Sequence, residues 1–243
     1  MLSVRNISTR RFIFTVMCIY SSCRSSALNI CIIAGSTRTS GPPRPILSDR
    51  VTAFIANSLH EREQVHKVTI VNAKDGIPLM EKPHFAYSKS QVPKELERIS
   101  KTIDEADAFI TITPEYNHSP CPGLMNIMNH FGSSSFSFKP SGIVSYSAGQ
   151  WGGTRAAHAL RPFLSELGCL PVSAMVHIPL AANVLDESGD IIQDEERWKS
   201  YVDRMLRQLE WWGMAAKNHR LVQNPFEISP AFTKSPTERN APT

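Results

Sequence analysis

Small, polar or charged residues follow an apolar run at three places in this 243-residue chain. Each run is rich in β-branched residues, as buried strands are, and the loops after the runs begin at Gly35, Pro114 and Ser147. These loops combine hydroxyl, amide and charged side chains with glycines that expose the backbone. Because the carboxyl ends of parallel strands meet at one edge of a sheet, we expect the three loops to lie together. The pattern predicts a binding site for a small organic molecule at that edge.

The first loop, over 35–40, carries residues that suit a phosphate. Hydroxyls, backbone N–H groups and one guanidinium would converge there near the positive end of the following helix. The lysine of a P-loop and the full glycine pattern of a dinucleotide-binding loop are both missing. A phosphate monoester, as in flavin mononucleotide (FMN), therefore fits better than a diphosphate, although an ordinary turn with Ser and Thr capping the helix is the other interpretation. The candidate phosphate ligands are Ser36, Thr37, Arg38 and Ser40.

The elements that would position these loops alternate between strand and helix. Five βα repeats predict an α/β fold of three layers, a five-stranded parallel sheet with helices on both faces and right-handed crossovers. The predicted strands cover 29–34, 65–71, 108–113, 141–146 and a fifth in two pieces, 170–173 and 175–178. The predicted helices cover 46–62, 92–106, 122–131, 154–167 and 195–217.

The net charge of +4 belongs to the start of the chain. Four arginines and no acidic residue lie in the first 27 positions, and the remaining 22 basic residues are matched by 22 acidic ones. A neutral body predicts no nucleic-acid binding, which requires a concentrated basic surface.

The chain divides into three segments by composition. Residues 1–27 are predicted to be a leader, either an organellar transit peptide or a segment without a targeting role. Residues 28–219 are predicted to be one domain, and 220–243 a disordered tail. The apolar run over 12–20 is shorter than the roughly 20 residues that span a bilayer. We expect no membrane association and a cytosolic protein, or a mitochondrial one if the leader is a transit peptide.

The cysteines and histidines form no metal-binding pattern, so no metal site is predicted. The odd, widely spaced cysteines favour a reducing compartment. No set of nucleophile, base and orienting residue is found either. The residues considered were Cys18, Cys23, Cys31, Cys121, Cys169, His118, His130, His158 and His177.

Three stretches taken together resemble the NADPH-dependent FMN reductase family, a flavodoxin-like group that includes quinone, azo-dye and chromate reductases. The stretches are 35–38, then 114–119 continuing into 122–124, then 147–149 with Gly152, Gly153 and Arg155. Their order and spacing agree with the family from Asn29 to Pro179. The resemblance implies a flavodoxin-like fold.

The resemblance also implies roles for particular residues. Ser36 and Arg38 would hold the FMN phosphate. The second loop would surround the phosphate, the ribityl chain and the ring edge, through Pro114, Glu115, Tyr116 and Asn117. The third loop would meet the pyrimidine end of the flavin, through Ser147, Ala148, Gly149 and Gly152. Glycines allow close approach of the backbone, and N–H groups near flavin O2 and N1 would stabilise negative charge on the reduced ring.

The function implied is that of an NAD(P)H oxidoreductase with FMN as cofactor and NADPH or NADH as co-substrate. Hydride would pass through bound FMN to a quinone, free flavin or similar small acceptor, so no catalytic side chain is required. Two alternatives stay open: a flavodoxin-like electron carrier, and a weakly flavin-binding member without catalysis. Carriers usually present an acidic face, which a neutral body lacks.

The helix after the second loop departs from the family pattern. Relatives commonly carry Lys and Asp where this chain has Met125 and Asn129. Because the Lys and the Asp are both replaced, neither leaves the other as an unpaired charge. We expect a homodimer or homotetramer, with an altered assembly if that pair normally supports subunit contact.

Overall fold

A computed structural model describes residues 27–42 and 46–229. The predicted leader lies outside the described residues except for Ala27, and so does the part of the predicted tail over 230–243. The beginning of that tail is described. There a short helix places the ring of Phe226 edge-on against the ring of Phe138, with 5.6 Å between centroids.

The sheet has five parallel strand positions, as predicted, and one added antiparallel piece. The strands are β1 Asn29–Ala34, β2 Lys67–Asn72, β3 Ala108–Tyr116, β4 Ser119–Pro120, β5 Pro140–Tyr146, β6 Leu170–Pro171 and β7 Val176–Ile178. Their order in the sheet is β2-β1-β3-β5-β6, with β7 beside β5 as well, and β4 pairs antiparallel with the end of β3.

Helices cover both faces of the sheet, because strand side chains alternate between two apolar cores. The α-helices in the described residues are α1 Leu47–His60, α2 Lys94–Glu105, α3 Pro122–Asn129, α4 Ser133–Phe136, α5 Thr154–Glu166, α6 Ala181–Val184, α7 Glu195–Arg220 and α8 Pro225–Ile228, and a 3-10 helix covers His84–Ala86. From β1, Ile30 and Ile32 enter the core beneath α1 and α7, whereas Cys31 and Ile33 enter the core beneath α2, α3 and α5. Burial on both faces explains why the strands read as continuous apolar runs.

The third strand is longer than predicted. It continues to Tyr116 because the chain folds back in a hairpin that pairs Glu115 with Pro120 and Tyr116 with Ser119. The two turn residues, Asn117 and His118, have φ of 50° and 65°. Two consecutive positive φ values are typical of the tight turns whose twist matches that of paired strands. The segment predicted to be a loop is therefore a β-hairpin with a two-residue turn.

The fifth strand position is divided more sharply than predicted. β6 pairs with the beginning of β5 and β7 with its end. Between them the Arg161 guanidinium donates to the carbonyl oxygens of Pro171 and Val172, at 3.2 Å and 2.8 Å. Pro171 also lacks an N–H for the ladder. Within the part of the chain that the structure describes, no helix has the length and apolarity needed to cross a bilayer.

Candidate functional site

The three loops meet around a cavity of about 170 Å³ at the carboxyl ends of β1, β3 and β5. Its walls contain seven of the predicted site residues, namely Ser36, Arg38, Pro114, Glu115, Tyr116, Ser147 and Ala148. The other predicted residues belong to the same loops but do not line this cavity: Thr37, Ser40, Asn117, Gly149 and Gly152. The beginning of α1 and the last residue of β5 complete the walls.

A cluster of hydroxyl groups lies at the base of the cavity. Ser36, Ser48 and Tyr146 are all buried there. Burial raises the pKa of the Tyr146 phenol well above its ordinary value, although the neighbouring Ser48 and Ser36 hydroxyls act in the opposite direction. The phenol therefore keeps its proton and stays a donor. Sequence reasoning missed Ser48 and Tyr146, although the position of Tyr146 at the end of a strand that enters a candidate loop was a usable signal.

The beginning of α1 adds backbone donors to this cluster. The N–H groups of Asp49 and Arg50 turn back to the carbonyl oxygen of Ile46, at 2.9 Å and 3.4 Å. Those of Leu47 and Ser48 have no hydrogen-bond partner among the described residues. Free N–H groups in the first turn of a 14-residue helix favour an anion, because the helix dipole places partial positive charge there.

Arg38 is held in the cavity wall by its own loop. Its Nε donates to the carbonyl oxygen of Ser40 at 3.0 Å, and Nη2 donates to that of Pro42. Ser40 therefore contributes a carbonyl group that positions the guanidinium. Thr37 is exposed, and it lies on the side of the loop that packs against Gly123, whose added Cβ would be 2.7 Å from Thr37 Cγ2.

Two glycines allow the first loop and α3 to touch. A Cβ on Gly35 would lie 2.3 Å from Leu124 Cβ, and one on Gly123 would lie 2.4 Å from the carbonyl oxygen of Gly35. Real Cβ atoms do not approach that closely, so both positions require glycine. This contact fixes the height of the first loop above the sheet.

Glu115 connects the second loop to the residues after the third. Its carboxylate accepts hydrogen bonds from Arg155 Nε at 2.7 Å and from the Arg155 N–H at 3.1 Å, with the Ala156 N–H at 3.5 Å. Burial alone would raise the pKa of Glu115, but the Arg155 side chain and these backbone donors lower it below its ordinary value. The ionised carboxylate thus caps the first turn of α5 and joins the hairpin to it.

The third loop is held together by its own hydrogen bonds. Ser147 Oγ donates to the carbonyl oxygen of Gly149 at 2.7 Å and accepts from the Gly152 N–H at 2.9 Å. Gly152 is buried with φ of 61°, and an added Cβ would lie 3.2 Å from His177 Cβ. The Ser147 side chain and the Gly152 backbone therefore determine the conformation of this loop.

The crest of the third loop is open. Ala148 and Gly149 are exposed, their N–H groups have no partner among the described residues, and a Cβ on Gly149 would meet no described atom within 4 Å. The described residues also contain no cluster of potential metal ligands. The site thus combines a hydroxyl-lined anion cavity with an open backbone surface beside it, and this donor set fits the phosphate and flat ring of FMN.

Relatives agree with this assignment. The chain is 33% identical over 141 residues to an NAD(P)H-dependent FMN reductase of Pseudomonas aeruginosa, covering 56% of this chain and 74% of that protein. It is 35% identical over 120 residues to a quinone reductase of Pseudomonas putida, covering 46% of this chain and 63% of that protein.

Solved structures support the fold. FerB of Paracoccus denitrificans, a flavoenzyme NAD(P)H:(acceptor) oxidoreductase, matches with a TM-score of 0.58 at 20% identity, covering 75% of this chain and 97% of that one. RosB with bound 8-demethyl-8-formylriboflavin-5′-phosphate matches with a TM-score of 0.58 at 14% identity, covering 83% and 85%. The predicted flavodoxin-like fold is confirmed.

The sequence model of one family, NADPH-dependent FMN reductase, matches residues 28–183. This match confirms the predicted cofactor and co-substrate, FMN and NAD(P)H, and does not favour the electron-carrier or non-catalytic alternatives. The chain belongs to the NADPH-dependent FMN reductase family and is an FMN-dependent NAD(P)H oxidoreductase.

Proposed function

We propose that the 170 Å³ cavity holds the phosphate of FMN and that the enzyme passes electrons from NAD(P)H to a quinone, free flavin or similar small acceptor. The observation that carries the proposal is the convergence of Ser36, Ser48 and Tyr146 hydroxyls with the Arg38 guanidinium at the beginning of α1. The carboxylate in the same wall belongs to Glu115, whose charge is matched by Arg155. A phosphate dianion would therefore meet donors and one uncancelled positive charge.

Each of these groups has a distinct task in binding. The three hydroxyls donate hydrogen bonds to phosphate oxygens, and the first turn of α1 adds backbone donors. Arg38 supplies charge from a fixed position, because its own loop holds the guanidinium on two sides. The raised pKa of Tyr146 keeps its phenol protonated beside a dianion.

When bound, FMN supplies the redox chemistry, hydride uptake at N5 and release of electrons to an acceptor. The chain's own residues orient the reaction. Exposed N–H groups at Ala148 and Gly149 would stabilise negative charge at the pyrimidine end of the ring. The Glu115–Arg155 pair sets the spacing between the second and third loops. The half-exposed Tyr116 side chain borders the open side of the cavity. Two substrates that use one open face in turn give ping-pong kinetics.

The test of this proposal is the FMN dissociation constant of the Arg38→Ala variant, measured by flavin fluorescence quenching on the full chain. Loss of a charge-assisted contact to phosphate is worth about 1.5–3 kcal/mol, so binding should weaken tenfold or more while the unfolding temperature stays constant. Arg98→Ala is the matched control, because Arg98 pairs with Glu95 on the surface of α2. Equal FMN affinity in both variants would remove the phosphate assignment.

We also propose that the protein is a cytosolic homodimer or homotetramer. Large apolar side chains are exposed near the site at Tyr116 and Leu180, and exposed apolar surface of this kind favours a partner subunit. Light scattering of the purified protein would measure the assembly. The alternative mitochondrial location depends on residues 1–27, and a fluorescent fusion with and without them would distinguish the two compartments.

A further inference from the structure

A second, larger cavity lies beside the third loop. Its volume is about 620 Å³, within the range of sites for small organic ligands. Its walls come from the residues that follow the crest of the third loop, Gln150 and Trp151, from the residues around the end of β7 and from the first turns of α7. Neither the predicted flavin contacts nor the phosphate cavity uses these walls, except that the third loop is shared.

The cavity walls are positively charged. Arg197 and Arg204 both line it, and no acidic residue is among its described lining residues. The nearest carboxylate to Arg197 is that of Asp194, at the outer limit of an ion pair, 4.0 Å. Arg204 has no carboxylate oxygen within 4.0 Å among the described residues. The next arginine on the helix, Arg207, is by contrast paired with Asp203, with Nε 2.5 Å from Oδ2. One unpaired guanidinium and one that is only weakly paired, in the same cavity, suit a phosphate.

The same cavity presents aromatic faces. The Trp151 side chain is 62% exposed, although nothing in the described core requires a tryptophan there. On the opposite wall the Trp198 ring lies 5.9 Å from that of Tyr201, and the Arg197 guanidinium lies over Trp198 at 5.9 Å. The Arg155 guanidinium lies over one face of the Trp151 ring, 5.6 Å from its centroid. A planar base would stack on the other face while Arg197 and Arg204 pair with its phosphate.

His177 adds a neutral polar group to the wall. Ser145 Oγ donates to the carbonyl oxygen of Gly152 at 2.8 Å and lies 2.8 Å from His177 Nδ1. Because the hydroxyl has a single proton, Nδ1 must carry the proton in the second contact, which leaves Nε2 as an acceptor. A hydrogen-bond acceptor beside aromatic faces suits the amino group of a purine.

We propose that this cavity binds the phosphorylated adenosine half of the nicotinamide co-substrate, with the base against Trp151 and phosphate on Arg197 and Arg204. The inference rests on the proposed function, because the nicotinamide half must reach the flavin. The third loop would contact both halves of the dinucleotide, because Gly149 lies on the open flavin side and Trp151 lines the cavity. Two residues of backbone span at most about 7 Å, which a dinucleotide crosses easily.

Calorimetric titration of the full chain with 2′,5′-ADP, 5′-ADP and inorganic phosphate tests the site without any turnover. We expect both nucleotides to bind, and the Arg197→Gln/Arg204→Gln double variant to lose at least tenfold in affinity. Arg207→Gln removes the same charge from the same helix outside the cavity and should bind as the unaltered protein does. Tighter binding of 2′,5′-ADP would assign the arginines to the 2′-phosphate, tighter binding of 5′-ADP to the pyrophosphate, and equal binding to the 5′-phosphate that the two nucleotides share.

Three results would overturn the proposal. These are no binding of either nucleotide, nucleotide binding no tighter than that of inorganic phosphate, and unchanged nucleotide affinity in the double variant. A change of oligomeric state in the double variant with unchanged nucleotide affinity would likewise show that the arginines hold a second copy of the chain.

Steady-state kinetics separate this proposal from the proposed function. With FMN bound and a quinone as acceptor, the double variant should show a KM for NADPH at least tenfold higher with kcat nearly constant. If the unaltered protein oxidises NADPH but the double variant keeps the same KM and the same nucleotide affinity, only the proposed adenosine site is contradicted. Arginine-dependent nucleotide binding without any NADPH oxidation would defeat the proposed function instead.

Discussion

Gly35 and Gly149 both follow strands at the same edge of the sheet, yet their surroundings are opposite. A Cβ on Gly35 would lie 2.3 Å from Leu124 Cβ and 3.0 Å from Cys121 Sγ. A Cβ on Gly149 would meet no described atom within 4 Å. The first glycine is required by the packing of the protein on itself, and the second leaves room above the backbone for something else. A glycine in a binding loop can thus be required either by close packing within the protein or by the space that a ligand needs. The atoms that surround the position of its missing Cβ distinguish the two cases.

The hydrogen bonds of the two loops differ in the same way. The first loop makes its polar side-chain contacts mainly within itself, through Arg38. The third loop is joined to its neighbours: the Ser147 N–H donates to the carbonyl oxygen of Ile178 at 3.1 Å, and Glu115 meets the Arg155 side chain just beyond the loop. Packing beneath the first loop therefore determines its shape, whereas hydrogen bonds both within the third loop and to its neighbours determine the shape of the third.

The largest effect is expected for Gly35→Ala. The added methyl group would overlap Leu124 Cβ, so the first loop or α3 must shift, which costs about 3 kcal/mol or more in a packed core. We expect the free energy of unfolding in urea to fall by that amount and FMN binding to be lost with it. Gly132→Ala is the control, because its Cβ would find only an ordinary contact of 3.7 Å with Ser134 Oγ. Equal stability of the two variants would contradict the packing role of Gly35.

A smaller effect is expected for Glu115→Gln, which removes the charge that joins the second loop to α5. Charge-assisted hydrogen bonds contribute about 1.5–3 kcal/mol, and the partial exposure of Arg155 places the expected loss of unfolding free energy near the lower end. Because the folded state lowers the pKa of Glu115, its contribution is present above the ordinary value of 4.5 and is lost as pH falls through the lowered value. The difference between the two proteins should therefore disappear in acid.

Urea titrations at pH 7 and below pH 4 measure this dependence. Glu95→Gln is the matched control, since Glu95 also pairs with an arginine, Arg98, but on the surface of α2. That variant should lose no more than about 0.5 kcal/mol, as exposed pairs on helices do. A Glu115→Gln variant no less stable than this control at pH 7 would mean that the third loop does not depend on the cross-link.

Sequence reasoning found the strands well because their signal is local. The apolar run of β1 is buried on both faces, and its predicted bounds coincide with the observed Asn29–Ala34. The hairpin was missed because its turn, Asn117 and His118, lacks the Asn-Gly signature that usually marks such turns. The Glu115–Arg155 contact joins residues 40 positions apart, and Ser48 meets Tyr146 from another element. Pairings of this kind depend on how layers assemble, which no local pattern encodes.

The smallest effect on stability is expected for Gly149→Ala, and this variant distinguishes the two glycines most directly. With open space around the new methyl group, the free energy of unfolding should stay within about 0.5 kcal/mol. The methyl group would nevertheless occupy the surface on which the flavin ring is proposed to lie, so the FMN dissociation constant should rise about tenfold, a cost near 1.4 kcal/mol. Flavin fluorescence titration of the folded variant measures it. Unchanged FMN affinity would show that the open crest of the third loop faces solvent and would assign the ring to the side of the cavity edged by Tyr116.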